Sequence, residues 1–110
     1  LGDVYKRQAL IEKGLPVVCI VPSGSLFHKS ISNIQEVISR GGKILMITDD
    51  TALQADSDNI WEIFRLPKVN PIIETLVYSI PIQMLAYYTA VELGNDVDQP
   101  RNLAKSVTVE

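Results

Sequence analysis

The run PVVCIV, residues 16–21, decides the fold, because it is short, uninterrupted and rich in β-branched side chains. Gly14 lies before it and Pro22-Ser23-Gly24 follows it. A continuous apolar run with turn residues at both ends is typical of a strand that is covered on both faces, as the strands of parallel sheets are. We therefore expect a buried β-strand here.

Two later runs have a similar character. KILMI, residues 43–47, is a second continuous apolar run, and NIWEIFR, residues 59–65, carries apolar side chains on both of its alternating faces. Leu66-Pro67 stops the latter, because proline has no N–H to give to a sheet. Both runs predict strands of the same sheet.

A helix is predicted between the first two strands. Its apolar positions fall on one stripe and its polar residues lie elsewhere. Ser25 is the expected N-cap, and Gly41-Gly42 is expected to end the helix, as a glycine commonly does. The stripe consists of Leu26, Ile31, Ile34, Val37 and Ile38.

A longer helix is predicted near the end of the chain. Asn70 is its expected cap and Pro71 its first residue, where the missing N–H costs nothing. Pro81 lies inside the pattern and is expected to kink or break the helix, and Gly94 is expected to end it. Its wide apolar face consists of Ile72, Ile73, Leu76, Val77, Ile80, Met84, Leu85, Tyr88 and Val91.

The order strand–helix–strand–strand–helix, with short connections, predicts an α/β fold, a three-layer αβα sandwich around a mostly parallel sheet. The apolar face of the last helix is wider than three strands can cover. We therefore expect either a larger sheet, of which this one is an incomplete part, or a partner chain against that helix.

Composition narrows the class of protein. The 110 residues suit one small domain, and a net charge of −3 with a pI of about 5.1 offers no basic surface for nucleic acid or an anionic membrane. No apolar run reaches the ~20 residues of a membrane span, and no signal peptide is visible. A single cysteine excludes an intrachain disulfide and a cysteine metal cluster. We expect a cytoplasmic protein.

Polar residues follow two of the predicted strands. Pro22-Ser23-Gly24-Ser25 lies between a strand and a helix, where free N–H groups bind phosphates in open α/β sheets. It lacks the glycine pattern and lysine of a P-loop, so a plain turn with an N-cap is favoured. Asp49-Asp50 is a hypothetical metal-binding or phospho-acceptor pair. A solvated loop is favoured there, because Asp56 and Asp58 belong to the same loop.

Five other residues are expected to be structural. His28, the sole histidine, lies off the apolar stripe of its helix without a visible partner, so an exposed position is expected. Cys19 lies within the first apolar run and is expected to be buried and unreactive. Tyr78, Tyr87 and Tyr88 suit core or interface positions.

The tail from Asp98 to Glu110 spreads single charges along an apolar strip. Lys105 is its only lysine and stands between the small residues Ala104 and Ser106. A desolvated lysine can form a Schiff base with a carbonyl substrate, whereas spacing alone favours a solvated lysine.

From about Ala9 to Glu110 the chain resembles the C-terminal part of the glutamine–fructose-6-phosphate aminotransferases, also called glucosamine-6-phosphate synthases. The resemblance is carried by the following segments: ALI at 9–11, PVVCIVP at 16–22, SNIQEV at 32–37 with RGG at 40–42, YSIPIQMLAY at 78–87, and above all DVDQPRNLAKSVTVE at 96–110.

This resemblance implies most of a second sugar-isomerase (SIS) domain in residues 9–94, and a tail, residues 95–110, that closes over the sugar-phosphate site. It implies the conversion of fructose 6-phosphate and glutamine into glucosamine 6-phosphate and glutamate, without a metal or organic cofactor. Lys105 is implied as the residue that forms an imine with the keto sugar, and Ala104 as part of the substrate-binding backbone. A homodimer and a glutaminase domain of the parent chain are the implied partners.

Residues 1–8, LGDVYKRQ, do not match the family and are expected to be linker-like or non-native. The family's glutaminase domain, its first SIS domain, its isomerisation glutamate and its ring-opening histidine have no counterpart here. We therefore expect a fragment that is inactive alone. The alternatives are a non-catalytic SIS-type module that binds sugar phosphates, and a receiver-like domain that would depend on Asp49-Asp50 alone.

Overall fold

The computed structural model describes residues 10–53 and 59–99. The chain divides into two compact units, with the boundary in sequence after Asn70. The first unit contains strand β1 (Pro16–Ile20), helix α1 (Phe27–Ser39), strand β2 (Lys43–Thr48) and strand β3 (Ile60–Arg65). The second unit begins with helix α2 (Pro71–Glu92). Each predicted strand and helix is therefore present, with ends that differ from the predicted ones by one or a few residues.

The three strands form a parallel sheet in the order β1–β2–β3. Pro16 pairs with Lys43 and Ile20 with Ile47, so β1 and β2 run in uninterrupted register. Between β2 and β3 the register shifts by one residue, which leaves Trp61 as an extra residue on β3. The parallel sheet with a helix between its strands confirms the predicted α/β class.

The core of the first unit lies between α1 and one face of the sheet. Four side chains are buried there, namely Val21, Ile34, Ile44 and Met46. Partly buried apolar side chains pack around them, namely Val17, Cys19, Phe27, Ile31, Val37, Ile38, Leu53, Ile60 and Ile63. Helix α1 contributes four residues of the predicted stripe and also Phe27, which the stripe did not include, whereas Leu26 of the stripe precedes the helix and is exposed.

The prediction that β1 is covered on both faces is wrong. Val18 and Ile20 point away from the core and are 44% and 45% exposed. Among the described strands β1 has only one neighbour, so its side chains gain less cover than those of β2. In β2 the prediction holds better, because Ile44, Met46 and Ile47 are almost completely buried.

Helix α1 begins at Phe27, two residues after Ser25, which was the predicted N-cap. Leu26 is the N-cap residue and makes no side-chain capping hydrogen bond, so the prediction of Ser25 as N-cap is wrong. The N–H of Phe27 donates to the carbonyl of Gly24 at 3.1 Å. This turn carries the chain past Ser25 before the helix starts, and the serine therefore lies outside the capping position.

The end of α1 agrees with the prediction. Gly41 has a φ of 85°, in the left-handed region that glycine adopts without strain. Its N–H donates to the carbonyl of Ile38 at 2.8 Å, and the N–H of Gly42 donates to that of Val37 at 3.1 Å. These two bonds are those of a Schellman motif, and they satisfy the last carbonyls of the helix.

Helix α2 starts at Pro71 as predicted and runs for 22 residues. It continues through Pro81, so the break allowed by the prediction does not occur. Proline removes one hydrogen bond from the ladder, and the many bonds on either side outweigh that loss. At the other end Gly94 has a φ of 72°, and the N–H of Asn95 donates to the carbonyl of Ala90 at 2.9 Å.

Apolar side chains lie on all sides of α2. The helix contains two charged residues, Glu74 in its first turn and Glu92 at its end. A helix that is apolar around its whole circumference is typical of one enclosed by other protein. Within residues 10–53 and 59–99, no helix is long and apolar enough to cross a membrane.

Candidate functional site

The carboxyl ends of β1 and β2 are joined through Asp49. This aspartate is 8% exposed. Its Oδ1 accepts a hydrogen bond from the backbone N–H of Ser23 at 2.6 Å, and its Oδ2 accepts one from the Ser23 hydroxyl at 2.9 Å. The prediction of a solvated loop is therefore wrong for Asp49, whose carboxylate is an internal hydrogen-bonding group.

This contact decides between the two interpretations of the Pro22–Ser25 segment. A phosphate would need the free N–H and hydroxyl groups of the turn. In Ser23 both groups donate to Asp49, and the negative charge of that carboxylate would repel a phosphate. The segment is thus a turn, as favoured from the sequence, although without the predicted N-cap.

Thr48 adds two hydrogen bonds near the same two strand ends. Its side chain is fully buried, and its hydroxyl donates to the carbonyl of Val21 at 2.7 Å. The same oxygen accepts a hydrogen bond from the N–H of Asp50 at 3.1 Å. The chain leaving β1 and the chain leaving β2 are therefore held together by two side chains of β2 and its loop.

Asp50 organises the loop that follows β2. Its Oδ1 accepts hydrogen bonds from the N–H groups of Ala52 and Leu53, both at 2.8 Å. From β3 the Arg65 guanidinium donates to the carbonyl of Asp50 at 2.6 Å and to the carbonyl of Leu53. Sequence reasoning missed Arg65, although an arginine at the end of a neighbouring parallel strand is placed to reach this loop.

The arrangement offers no support for the metal-binding hypothesis. Asp49 accepts its hydrogen bonds from Ser23 in the turn after β1, whereas Asp50 accepts its own from the loop after β2. In the described part of the chain no three acidic, histidine or cysteine side chains come together as a metal site would require. Asp56 and Asp58 lie outside the described residues.

Of the five residues predicted to be structural, His28 and Tyr78 are placed as predicted, Cys19 is only partly buried, and Tyr87 and Tyr88 are not in the core. His28 is exposed, and its ring meets the edge of Phe27 at a centroid distance of 5.7 Å. Cys19 packs against the core, and partial burial raises the pKa of its thiol by desolvation. A raised pKa favours the protonated thiol, which is the less nucleophilic form. Tyr78 is buried, whereas the rings of Tyr87 and Tyr88 are half-exposed and touch edge to face.

The two site residues implied by the family resemblance, Lys105 and Ala104, lie outside the described residues. The chain that leads toward them is described as far as Gln99. There the Asp96 carboxylate accepts hydrogen bonds from the N–H groups of Asp98 at 2.9 Å and Gln99 at 3.2 Å. This turn sets the direction in which the chain leaves helix α2.

A cavity of about 760 Å³ lies in the second unit, between the end of α2 and this turn. Its lining comes from the last turns of the helix and from the residues that follow them. Among the described lining residues there is no amine, imidazole or thiol, so they can bind a ligand through hydrogen bonds but offer no amine that could form a Schiff base. The lining consists of Ala86, Tyr87, Ala90, Gly94, Asn95, Asp96, Val97 and Gln99.

Residues 2–93 match the family model of the SIS domain. Curated relatives are named glutamine–fructose-6-phosphate aminotransferase (isomerizing). The protein from Zymomonas mobilis is 53% identical over 102 residues, which are 93% of this chain and 17% of that protein. The protein from Sphingobium yanoikuyae is 54% identical over 102 residues, which are 93% of this chain and 65% of that protein. The chain thus spans 17% and 65% of the lengths of these two relatives.

The chain is also similar to a solved structure. It is the C-terminal domain of glucosamine-fructose-6-phosphate aminotransferase from Francisella tularensis, with a TM-score of 0.75 and 37% identity. The match covers 84% of this chain and 26% of that one. The sequence comparison and the structure comparison therefore find relatives with the same kind of name, the fructose-6-phosphate aminotransferases.

Proposed function

The chain belongs to the SIS domain family, and from this premise we propose that it acts as the C-terminal part of a glutamine–fructose-6-phosphate aminotransferase. One observation carries the proposal, namely identity of 53–54% over 102 residues to proteins with that name. The aligned length is 93% of the chain, which is too much for agreement in a single structural motif. The parent protein would make glucosamine 6-phosphate and glutamate from fructose 6-phosphate and glutamine.

In this proposal Lys105 supplies the nucleophile. Its amine attacks the C2 carbonyl of the open-chain sugar, and loss of water leaves an iminium ion on the lysine nitrogen. The iminium withdraws electrons from the neighbouring carbon, so a base can remove a proton there more easily. Ala104 lies beside the lysine in sequence, and its backbone is proposed to line the same site.

The described strand ends have a supporting role in the proposal. The donors of Ser23 are engaged by Asp49, so the sugar phosphate is assigned to residues other than the Pro22–Ser25 turn. The network of Asp49, Thr48 and Arg65 holds the loops at the carboxyl edge of the sheet. These residues are expected to stabilise the domain rather than to contact the sugar.

The proposed organisation follows the family resemblance. Residues 9–94 belong to the second SIS domain, residues 95–110 form a tail that closes over the sugar-phosphate site, and residues 1–8 are linker-like or non-native. The partners are a second subunit and the glutaminase domain of the parent chain, and the compartment is the cytoplasm. No metal or organic cofactor is part of the proposal.

The test uses the parent polypeptide that carries this chain. Incubation with fructose 6-phosphate and cyanoborohydride should reduce the imine to a stable secondary amine, and peptide mass spectrometry should find the sugar on Lys105. Lys105→Arg keeps the positive charge, cannot form the imine, and should lower formation of glucosamine 6-phosphate at least a hundredfold. Lys68→Arg, at an exposed position of the same chain, is the matched control and should leave the rate unchanged.

Two results would count against the proposal. Wild-type rate in Lys105→Arg would remove the lysine from the mechanism. Binding of fructose 6-phosphate without any reducible adduct or product would favour the alternative, a non-catalytic SIS-type module that binds sugar phosphates.

A further inference from the structure

The turn that follows helix α2 is closed by the side chain of Asp96. Its Oδ1 accepts hydrogen bonds from the backbone N–H groups of Asp98 at 2.9 Å and Gln99 at 3.2 Å. One carboxylate oxygen thus bonds the residues two and three positions ahead, as the acceptor of an Asx turn does. Asp96 therefore restrains the backbone at the point where the described chain ends.

The turn is joined directly to a fixed helix end. Gly94 has a φ of 72°, and its N–H donates to the carbonyl of Val91 at 2.9 Å. The N–H of Asn95 donates to the carbonyl of Ala90 at 2.9 Å, which completes the pair of bonds found in a Schellman motif. Asp96 is the next residue, so the direction that the chain takes at the helix end continues into the turn.

Exposure separates Asp96 from the buried Asp49. Asp96 is exposed, so water can replace it as an acceptor when its bonds are lost, and those bonds add little to the free energy of unfolding. Asp49 is buried, and its donors on Ser23 would lose their acceptor. The bonds of Asp96 thus restrain the direction of the chain more than they stabilise the fold.

The turn is close to Lys105 along the chain. Six residues lead from Gln99 to Lys105, and six residues span at most about 21 Å, so the lysine Cα is confined to that distance from the turn. Its location within this distance depends on the direction in which the chain leaves the turn. A displacement of about 1 Å at a reacting group can lower a rate about a hundredfold.

We propose that Asp96 is a positioning residue for Lys105, because its two hydrogen bonds fix the exit of the tail from helix α2 and thereby the approach of the amine to the C2 carbonyl of the sugar. Both donors are neutral N–H groups, so the acceptor oxygen is needed and the negative charge is not. The inference rests on the proposed function, which assigns the nucleophile to Lys105.

Trapping of the imine in the parent polypeptide tests the inference. Asp96→Ala removes the acceptor and should lower the rate at which fructose 6-phosphate and cyanoborohydride label Lys105 by about tenfold. Asp96→Asn keeps an acceptor oxygen at the same position and should stay within about twofold of the wild type. Glu92→Ala is the matched control, because it removes an exposed carboxylate from the end of the same helix and should leave the rate unchanged.

Three further measurements separate positioning from folding and from binding. Asp96→Ala should unfold at the temperature of the wild type, since the side chain is exposed. It should bind fructose 6-phosphate with an unchanged Kd, so the loss lies in the trapping rate at saturating sugar. Hydrogen–deuterium exchange at the amides of Asp98 and Gln99 should be faster in Asp96→Ala than in the wild type or in Asp96→Asn.

Three outcomes would overturn the inference. Trapping at the wild-type rate in Asp96→Ala would show that the turn does not place the amine. An equal loss in Asp96→Asn would assign the effect to the charge, and a lowered unfolding temperature in Asp96→Ala would assign it to folding. In each case a wild type that is labelled on Lys105 leaves the proposed function standing, whereas a wild type without that label would contradict both.

Discussion

Asp49 holds Ser23, 26 residues away in the chain, by both of its carboxylate oxygens. One oxygen accepts the backbone N–H and the other accepts the hydroxyl, so the turn after β1 is tied to the loop after β2. A buried carboxylate that accepts two hydrogen bonds contributes more to stability than an exposed one, since its removal leaves donors without acceptors. The strongest polar contact at this edge of the sheet is therefore structural.

Replacement of Asp49 should measure that contribution. Asp49→Ala leaves the N–H and hydroxyl of Ser23 without their acceptors, and we expect the free energy of unfolding in urea to fall by about 2–3 kcal/mol. Asp98→Ala removes an exposed carboxylate and should change it by less than about 0.5 kcal/mol. Equal effects of the two variants would show that the Asp49 contact contributes little.

Alanine substitutions at Gly41 and Gly24 form a second pair of test and control variants. Gly41 has a φ of 85°, and an added Cβ would lie 3.1 Å from the Cα of Lys13. Gly41→Ala should therefore lower the free energy of unfolding by about 1–2 kcal/mol. Gly24 lies outside the left-handed region with nothing within 4 Å of an added Cβ, so Gly24→Ala should be neutral or slightly stabilising. Thermal unfolding of both variants measures the difference, and a loss at Gly24 as large as that at Gly41 would contradict the backbone argument.

The strands and the helix ends could be predicted because their signals are local. PVVCIV and KILMI are apolar and β-branched, and strands lie at Pro16–Ile20 and Lys43–Thr48. Gly41 and Gly94 end their helices since glycine alone adopts their positive φ without strain. Signals of this kind need no knowledge of distant residues.

The strand-end contacts could not be predicted for the opposite reason. Whether Asp49 is solvated depends on Ser23, and only the folded sheet brings the two together. Ser25 was the better cap by residue type, yet the turn from Gly24 to Phe27 decided where the helix begins. The proposed site residues Lys105 and Ala104 rest on family resemblance, because spacing alone favours a solvated lysine.

Cys19 should make stability depend on pH in the alkaline range. Desolvation raises the pKa of its thiol in the folded chain above the ordinary value of 9.0. As pH rises, the unfolded state therefore loses the thiol proton before the folded state does. The contribution of the protonated thiol to the free energy of unfolding is fully present below the pKa of the unfolded state, and it is lost as pH rises through the pKa of the folded state. Urea unfolding between pH 7 and 10 should show a steeper alkaline loss for the wild type than for Cys19→Ala. Parallel pH profiles would contradict this expectation.

Pro81 offers a prediction in the stabilising direction. It lies inside an unbroken helix, where proline forfeits one backbone hydrogen bond and crowds the carbonyl of Val77, four residues before it. Pro81→Ala restores the bond, and the gain of up to about 3 kcal/mol is reduced by about 1 kcal/mol, because alanine leaves the unfolded chain more freedom. We therefore expect the free energy of unfolding in urea to rise by about 2 kcal/mol.

Pro71→Ala supplies the control for Pro81→Ala, since Pro71 is the first residue of the same helix and its missing N–H has no partner to lose. It should give no gain, because only the freedom of the unfolded chain changes. If Pro71→Ala stabilised the chain as much as Pro81→Ala, proline replacement as such would be responsible, and the hydrogen-bond argument would fail. If neither variant changed the free energy of unfolding, Pro81 would cost helix α2 no stability. Its presence would then be explained by a bend that the packing of the helix requires.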